Sequence, residues 1–277
     1  DLAVVRPDLP GRVSAVATID GRGFSPASPW TARLASLSGN LAGRALTGRG
    51  EVTHRDGNYD LREVRIANGP SHVDLNGRWG STVDLRWSAN VTTLALLHPD
   101  LAGELVSSGR ARGSSSRPRV EGDLQVRGLR FAGVAVQSVE AEVDVDATDA
   151  HESRVDVRAT DIDLGPIQLD KARFDARGLL AGHDLVLEFS SPGGGTQRLP
   201  PVRGQVGLRG VYAAARQTWL GSLEQASLTF PDGIATLLQP AAIEASAESL
   251  RVAPVCLQTG EARLCAEGQR RSQPDAW

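Results

Sequence analysis

The sequence lacks several features that mark common classes of protein. It contains no methionine, and aromatic residues make up only 4% of its 277 residues. No apolar run approaches the ~18 residues that a membrane-spanning helix needs, and the longest runs, such as residues 94–97, are strand-sized. We therefore expect a soluble piece of protein. Because it opens at Asp1, we interpret it as a mature or internal fragment whose targeting or anchoring segment lies outside it.

The charge pattern excludes one class of partner and leaves another open. The formal net charge is −3, which provides no electrostatic basis for nucleic-acid binding. Lys171 is the only lysine, and every other basic residue is arginine. We interpret this bias as genome composition. The second interpretation is phosphate recognition, because the arginine fork matches phosphate head groups.

Residues that carry chemistry are present, but not in a catalytic or metal-binding pattern. The five histidines show no metal-ligand spacing. Asp144, Asp146, Asp149 and Glu152 cluster like a calcium loop but lack its glycine, which favours a solvated strand face running into a turn. Residues 193–195 are three glycines without the Lys and Ser/Thr of a phosphate-binding loop. We therefore predict no metal, no cofactor and no enzymatic activity.

The tripeptide His98-Pro99-Asp100 is the signature of J-domain co-chaperones, which hold it between two amphipathic helices. The flanks here are the alternating residues 83–89 and the Gly/Ser/Arg-rich residues 109–118. Neither flank has a helical period, so we reject a J-domain.

Alternation of apolar and polar residues dominates the chain. Val120, Leu124 and Val126 share one parity, while Glu121 and Gln125 take the other. Similar runs recur between turn signals, and no long helical period interrupts them. The pattern predicts an all-β protein of roughly fifteen to eighteen strands of about five to six residues. Its small branched residues favour a long curved sheet over an aromatic-filled sandwich.

The spacing of these runs indicates one continuous segment over residues 1–277. One weak seam lies at residues 190–201, where Gly and Pro cluster. A long hairpin loop and a domain boundary are both compatible with it, and we favour the loop.

Cys256 and Cys265 are the only cysteines. Pairing around a turn at residues 260–261 places them opposite each other and Leu257 opposite Leu264, and glycine at the first turn position suits a type II′ hairpin. Facing Cβ atoms about 4.5–5.5 Å apart can close to a disulfide. A disulfide would indicate an oxidising compartment, and reduced thiols in a cytosolic strand pair are the alternative.

Several motifs resemble one family. Residues 94–105, Gly109 and residues 117–124 together resemble the run "L…P-x-L-x-G-x-L…G…P-x-V-x-G-x-L" of TamB proteins. These proteins are the inner-membrane component of the bacterial translocation and assembly module, within the AsmA-like group of bridge-shaped lipid carriers. Residues 219–223 resemble the family's W-x-G-x-L strand, residues 239–243 its "PA-x-L" strand, and the cysteine hairpin a similar segment. The resemblance covers the chain from about residue 30.

The resemblance is to part of a TamB protein. After Gly268 the family continues into another G-x-W strand, whereas this chain reads QRRSQPDAW. We expect the membrane anchor and the C-terminal domain of the family to lie outside this sequence. We therefore expect a middle section of such a protein.

The resemblance implies an elongated antiparallel or mixed sheet curled into a hydrophobic trough. It implies a periplasmic location, tethered to the inner membrane by a segment not present here, and an outer-membrane partner of the Omp85 type, TamA, engaged through other parts of the protein. The trough would carry phospholipid acyl chains between the two membranes and support outer-membrane biogenesis. Its predicted lining consists of Val73, Leu75, Val83, Leu85, Leu124, Val126, Val134, Val136, Val143, Val145, Val155, Val157, Ile162, Leu164, Leu169, Phe174, Leu185 and Leu187.

Three alternatives remain open at this point. The same residues could form an ordinary packed core. The trough or a sheet edge could instead assist the assembly and secretion of outer-membrane β-barrel or autotransporter proteins. A secreted β-helix fits less well, since no fixed coil period is present.

Overall fold

The computed structural model describes residues 11–22, 28–193 and 200–271. These residues form eighteen β-strands and two short 3-10 turns, Leu94–Leu96 and Ala214–Arg216. The strands are β1 (Gly11–Gly21), β2 (Trp30–Leu41), β3 (Arg44–Arg55), β4 (Asn58–Asn68), β5 (Ser71–Trp79), β6 (Thr82–Val91), β7 (Ala102–Ser114), β8 (Arg117–Phe131), β9 (Val134–Asp146), β10 (Ser153–Asp163), β11 (Gln168–Leu179), β12 (Gly182–Ser191), β13 (Val202–Ala213), β14 (Thr218–Phe230), β15 (Gly233–Leu237), β16 (Ala241–Ser246), β17 (Ser249–Thr259) and β18 (Ala262–Arg271).

The chain divides into two compact units. Unit 1 contains the residues up to Ala132 together with Ser138–Asp144, and unit 2 contains Gly133–Gln137 and the residues from Val145 onward. Strand β9 therefore contributes residues to both units.

Unit 1 is an antiparallel meander. Each strand from β1 to β7 pairs with the next strand in the chain. The turn between β3 and β4 shows why the chain reverses there. Asp56 and Gly57 both have left-handed φ angles, 49° and 74°, which is the conformation of the two central residues in a type I′ hairpin. Local turn chemistry thus fixes neighbouring strands as partners.

Unit 2 begins as a similar meander from β10 to β14. The order then branches, because β14 pairs with both short strands, β15 and β16, and both of these pair with β17. β18 pairs with β17. Every pairing with a recorded register is antiparallel, so the all-β prediction is confirmed.

The strands are longer than the sequence analysis predicted. Most have nine or more residues and β8 has fifteen, whereas only β15 and β16 have five or six. The reason is that strands continue through irregular residues instead of ending there. Gly128, which breaks the alternation with a φ of 61°, lies inside β8. Register shifts in unit 1, such as that between Leu61 and Val64, act in the same way.

The predicted seam at residues 190–201 lies partly outside the described residues, which omit 194–199. On either side of it, β12 and β13 pair with each other as far as Ser191 and Val202. The choice between loop and boundary stays a prediction.

Candidate functional site

An apolar face runs across consecutive strands of unit 1. Residues directly opposite each other on antiparallel strands point to the same side of the sheet. Val73 on β5 lies opposite Ala89 on β6. Ala89 lies opposite Ser107 on β7, and Ser107 lies opposite Leu124 on β8. The same alternation places the other predicted residues of these strands on this face, which we call the unit 1 apolar face: Leu75, Val83, Leu85 and Val126.

Unit 2 has an equivalent face over a longer run of strands. Val155 on β10 lies opposite Ala176 on β11, which lies opposite Leu185 on β12. Leu185 lies opposite Leu208, and Leu208 lies opposite Leu223 on β14. A parallel row contains Val157, Phe174, Leu187 and Val206. We call these residues the unit 2 apolar face.

The part of this face on β13 and β14 was not among the residues predicted from the sequence. Val206 and Leu208 alternate as strand residues should, but Gly204, Gly207 and Gly210 surround them. Three glycines within seven positions hide a period of two, because glycine carries no hydrophobic signal. The alternation of the remaining residues was the only available sign.

The four predicted lining residues on β9 do not form one set. Val134 and Val136 are an odd number of positions from Val143 and Val145, so a regular strand points the two pairs to opposite sides. Val136 is 9% exposed, whereas Val134 is 36% exposed. Their place in a common lining stays a prediction.

A second irregularity affects β10 and β11. Ile162 lies opposite Leu169, but Asp161 has a left-handed φ of 49° and interrupts the alternation that begins with Val155 and Val157. Leu164 lies just beyond the end of β10 and is 43% exposed. Their role in the lining also stays a prediction.

Most of the predicted lining keeps contact with solvent. Three of the eighteen residues are buried, two are exposed and the other thirteen are partly exposed. A face that packs against a second sheet interdigitates with it and loses nearly all of its accessible surface. The partial exposure therefore leaves apolar surface that a further apolar group can cover.

A tryptophan lies flat on glycines in each unit. In unit 1, a Cβ at Gly109 would overlap the Trp87 ring, whose Nε1–H donates to Ser107 Oγ at 3.1 Å. The ring also approaches Gly122 on the next strand. Since the glycines leave room for it, the ring covers backbone on the apolar face, and its one polar group is satisfied.

The equivalent in unit 2 is Trp219. Its ring occupies the space that a Cβ at Gly210 or Gly221 would need. Its Nε1–H donates to His183 Nε2 at 2.7 Å, and His183 Nδ1–H donates to the Leu179 carbonyl at 3.0 Å. Both hydrogen bonds require the neutral imidazole with its proton on Nδ1.

One turn of unit 1 folds over its own apolar face. Leu94, in the 3-10 turn between β6 and β7, is 4% exposed and packs with Val91 and Val126. The partly buried residues around them are Leu101, Leu105, Leu124, Leu129 and Val139. This end of the face is a conventional core, as the alternative interpretation of the lining residues requires.

The opposite side of each sheet is polar and held by ion pairs between neighbouring strands. Asp156 is 3% exposed and contacts Arg173 at 2.8 Å and Arg158 at 2.9 Å. Burial alone would raise the pKa of Asp156, but the hydrogen bond from Arg173 and the nearby charges outweigh it, so the pKa is lowered. In unit 1, a hydrogen bond from Arg110 likewise lowers the pKa of Asp84.

The carboxylates that resemble a calcium loop form a hydrogen-bonded turn. Asp146 Oδ1 accepts from the Thr148 hydroxyl and N–H, and Oδ2 lies 3.0 Å from His151 Nδ1. These hydrogen bonds lower the pKa of Asp146 to about 2. The two Oδ atoms of Asp149 accept hydrogen bonds from the N–H groups of Leu180 and Ala181. In the described part of the chain, no group of His, Cys, Asp and Glu is placed to hold a metal ion.

The structure tests two further predictions made from the sequence. The tripeptide His98-Pro99-Asp100 lies in the loop between β6 and β7, after the 3-10 turn Leu94–Leu96, so strands and not a helical hairpin flank this loop. Cys256 and Cys265 form a disulfide, lie opposite each other on β17 and β18, and leave Leu257 opposite Leu264. The disulfide prediction and its register are confirmed.

Among the described residues no helix is long and apolar enough to span a membrane.

The sequence was also compared with known protein families. A sequence model of the TamB N-terminal domain matches residues 1–275. The match extends through both units, and it names the N-terminal domain where the motifs had indicated a middle section. No solved structure matches the chain.

Proposed function

The chain belongs to the TamB family, and from that premise we propose that it is a segment of a periplasmic bridge for phospholipids. In this proposal its apolar faces bind acyl chains on their way between the inner and outer membranes and so support outer-membrane biogenesis. The chain acts by binding, with no catalysis and no cofactor.

One observation carries the proposal: the apolar faces continue from strand to strand while most of their residues stay partly exposed. A row such as Val157, Phe174 and Leu187 offers each acyl chain a similar surface at every strand. Neighbouring strands lie about 4.8 Å apart, so a chain lying across them meets apolar side chains at short intervals.

The energetics favour such a surface strongly. Exposure of an acyl chain to water costs roughly 0.8 kcal/mol per CH₂, or on the order of 13 kcal/mol for about sixteen carbons. Valine, leucine and isoleucine side chains remove much of this cost. Because apolar burial is not directional, the surface holds a chain without fixing its position, and the chain can slide.

The remaining parts of the proposal follow from the family and from the disulfide. The Cys256–Cys265 disulfide fits an oxidising compartment such as the periplasm. Tethering to the inner membrane and contact with an outer-membrane partner of the TamA type are further parts of the proposal, and family membership supports them.

A second candidate function uses the same surfaces for protein clients. Unfolded strands of outer-membrane β-barrels are also extended and partly apolar, and they could lie on the apolar faces or add beside a strand. Leu264 on β18, which is 73% exposed, is an apolar contact that such a client could cover.

The test is the lipid content of the chain purified from a bacterial periplasm. Phospholipid extracted from the wild-type chain is quantified by mass spectrometry and compared with that of Leu85→Glu and Leu187→Glu, which place a charge on each apolar face. The controls Arg86→Gln and Asp184→Asn change exposed residues of the polar side. We expect phospholipid in the wild type and in both controls, and a loss of most of it in both glutamate variants, with circular dichroism unchanged.

Two results would contradict the lipid proposal. One is wild-type chain without phospholipid, and the other is equal lipid content in all five proteins. Barrel-precursor peptides retained by the wild type and lost in the glutamate variants would favour the second candidate.

A further inference from the structure

The polar side of unit 2 contains a basic cavity that the apolar faces do not explain. The cavity has a volume of about 620 Å³ and is lined by side chains from five consecutive strands, β10 to β14. Its charged residues are one glutamate, Glu188, and four basic residues: Arg158, Lys171, Arg173 and Arg203. We call it the unit 2 basic cavity.

The register explains why these side chains meet. Lys171 on β11 lies opposite Ser190 on β12, and Ser190 lies opposite Arg203 on β13. Arg203 lies opposite Thr229 on β14. Opposite residues point to the same side, so two cations and two hydroxyls form one row across the sheet.

The charges of the cavity are not balanced within it. Asp156 is shared by Arg158 and Arg173, at 2.9 and 2.8 Å. In contrast, Lys171 and Arg203 have no ion-pair partner among the described residues. The lining residues themselves carry four cations against one carboxylate, Glu188. Outside the lining, Asp156 offsets part of this charge and Asp175 lies 3.9 Å from Arg173.

The spacing of the two unpaired cations suits one small anion. Strands separated by about 4.8 Å place the Cα atoms of Lys171 and Arg203 about 10 Å apart, with Ser190 between them. Their long side chains can converge above the serine hydroxyl. A phosphate-type group carries up to about two negative charges and several acceptor oxygens, which arginine forks and lysine ammonium groups bind well.

We propose that the unit 2 basic cavity binds a phosphate-type anion between Lys171 and Arg203. Arg203 supplies a two-pronged donor, Lys171 a point charge, and the Ser190 and Thr229 hydroxyls further hydrogen bonds. A volume of about 620 Å³ lies within the range of small-molecule sites, so the cavity also has room for the group that carries the phosphate. The site is on the polar side of the sheet and does not depend on acyl-chain binding.

A polar cavity of unit 1 provides a matched comparison. It has a volume of about 580 Å³ and contains four arginines, but three carboxylates also line it: Glu51, Asp56 and Asp60. Glu51 pairs with Arg33 at 2.6 Å and approaches Arg62 at 3.7 Å. The positive excess is therefore smaller, and we expect little anion binding there.

The test is a titration of the full chain with inorganic phosphate, followed by NMR chemical shifts at constant ionic strength. The wild type should bind saturably. Lys171→Gln combined with Arg203→Gln should weaken binding by about 10-fold or more, since each charged hydrogen bond contributes strongly. Arg55→Gln combined with Arg78→Gln removes the same charge from the unit 1 cavity and should change the affinity less than about twofold.

Wild-type chain that does not bind phosphate saturably would overturn the proposal. So would equal weakening by the two double variants, because that result indicates general charge attraction instead of a site.

Sedimentation with vesicles separates two sources of the anion. Wild-type chain that pellets with phosphatidylglycerol vesicles but not with phosphatidylcholine vesicles, and loses this in the Lys171/Arg203 double variant, would identify a lipid head group. Phosphate binding without vesicle binding would identify a soluble phosphate ester. Both results support the site, and neither depends on the lipid content of the apolar faces.

Discussion

The apolar faces of the two units differ in how much of them the chain itself covers. In unit 1 the turn residue Leu94 folds onto the face and is buried with Val91 and Val126. In the described part of unit 2, every buried apolar residue lies on a strand: Val136, Leu223, Ala235, Ala241 and Cys256. The same alternating pattern therefore forms a closed core at one place and an accessible surface at another, and in unit 1 a loop residue provides the difference.

The largest effect should come from removing the cover in unit 1. Leu94→Ala should lower the free energy of unfolding by about 2–4 kcal/mol, because it removes a buried side chain and leaves a cavity. Leu97→Ala is the control, since Leu97 is in the same loop but 58% exposed. Urea denaturation measures both. Equal stability of the two variants would mean that Leu94 does not close this end of the face.

Disrupting the tryptophan–glycine contacts should cause an intermediate loss of stability, similar in both units. An alanine methyl at Gly109 or Gly210 would overlap the Trp87 or Trp219 ring, so each substitution should cost about 1–3 kcal/mol. Gly268→Ala is the control, because nothing lies within 4 Å of its Cβ position. Thermal unfolding followed by tryptophan fluorescence provides the measurement. A cost no larger than that of the control would show that the rings do not rest on these glycines.

The smallest expected effect is on the acid sensitivity of the fold, and it should differ between two carboxylates, Asp146 and Asp84. The folded-state pKa of Asp146 in unit 2 is about 2, below its usual value of 3.8, so its contribution to stability is present above about pH 4 and is lost as the pH falls toward 2. Asp146→Asn should therefore reduce the drop in melting temperature between pH 5 and pH 2. Asp84→Asn in unit 1 should reduce it less, because the Asp84 side chain is 59% exposed and solvent screens its pairing with Arg110. Equal acid dependence of the wild type and both variants would contradict this assignment.

Local signals in the sequence predicted local structure well. The cysteine hairpin has the expected register because a two-residue turn at Gly260 fixes which residues face each other, and Gly260 has the required positive φ of 55°. Parity also placed Val155 and Val157 on one face, together with Phe174 on the next strand. In both cases the decisive interaction lies within a few residues or between adjacent strands.

Other features depend on residues that are distant in sequence or on backbone irregularities. Parity alone assigns Asp156 to a solvated face, yet it is buried because arginines, including one from the neighbouring strand, enclose it. The reversal of alternation at Asp161 depends on a left-handed backbone angle that its side chain does not reveal. The burial of Leu94 against the face depends on the path of the whole loop between β6 and β7. These features decide which lining residues are accessible, and a one-dimensional pattern does not contain them.

The central claim is that the apolar faces, and not the polar sides, contact acyl chains. Photo-crosslinking in the bacterial periplasm tests it most directly, with a photoreactive residue replacing Leu85 or Leu187 and, separately, the exposed polar-side residues Arg86 or Asp184, which lie outside the unit 2 basic cavity. The account predicts phospholipid adducts by mass spectrometry at Leu85 and Leu187 and none at Arg86 and Asp184. Adducts at none of the four positions, or equal adducts on the apolar and polar sides, would contradict it.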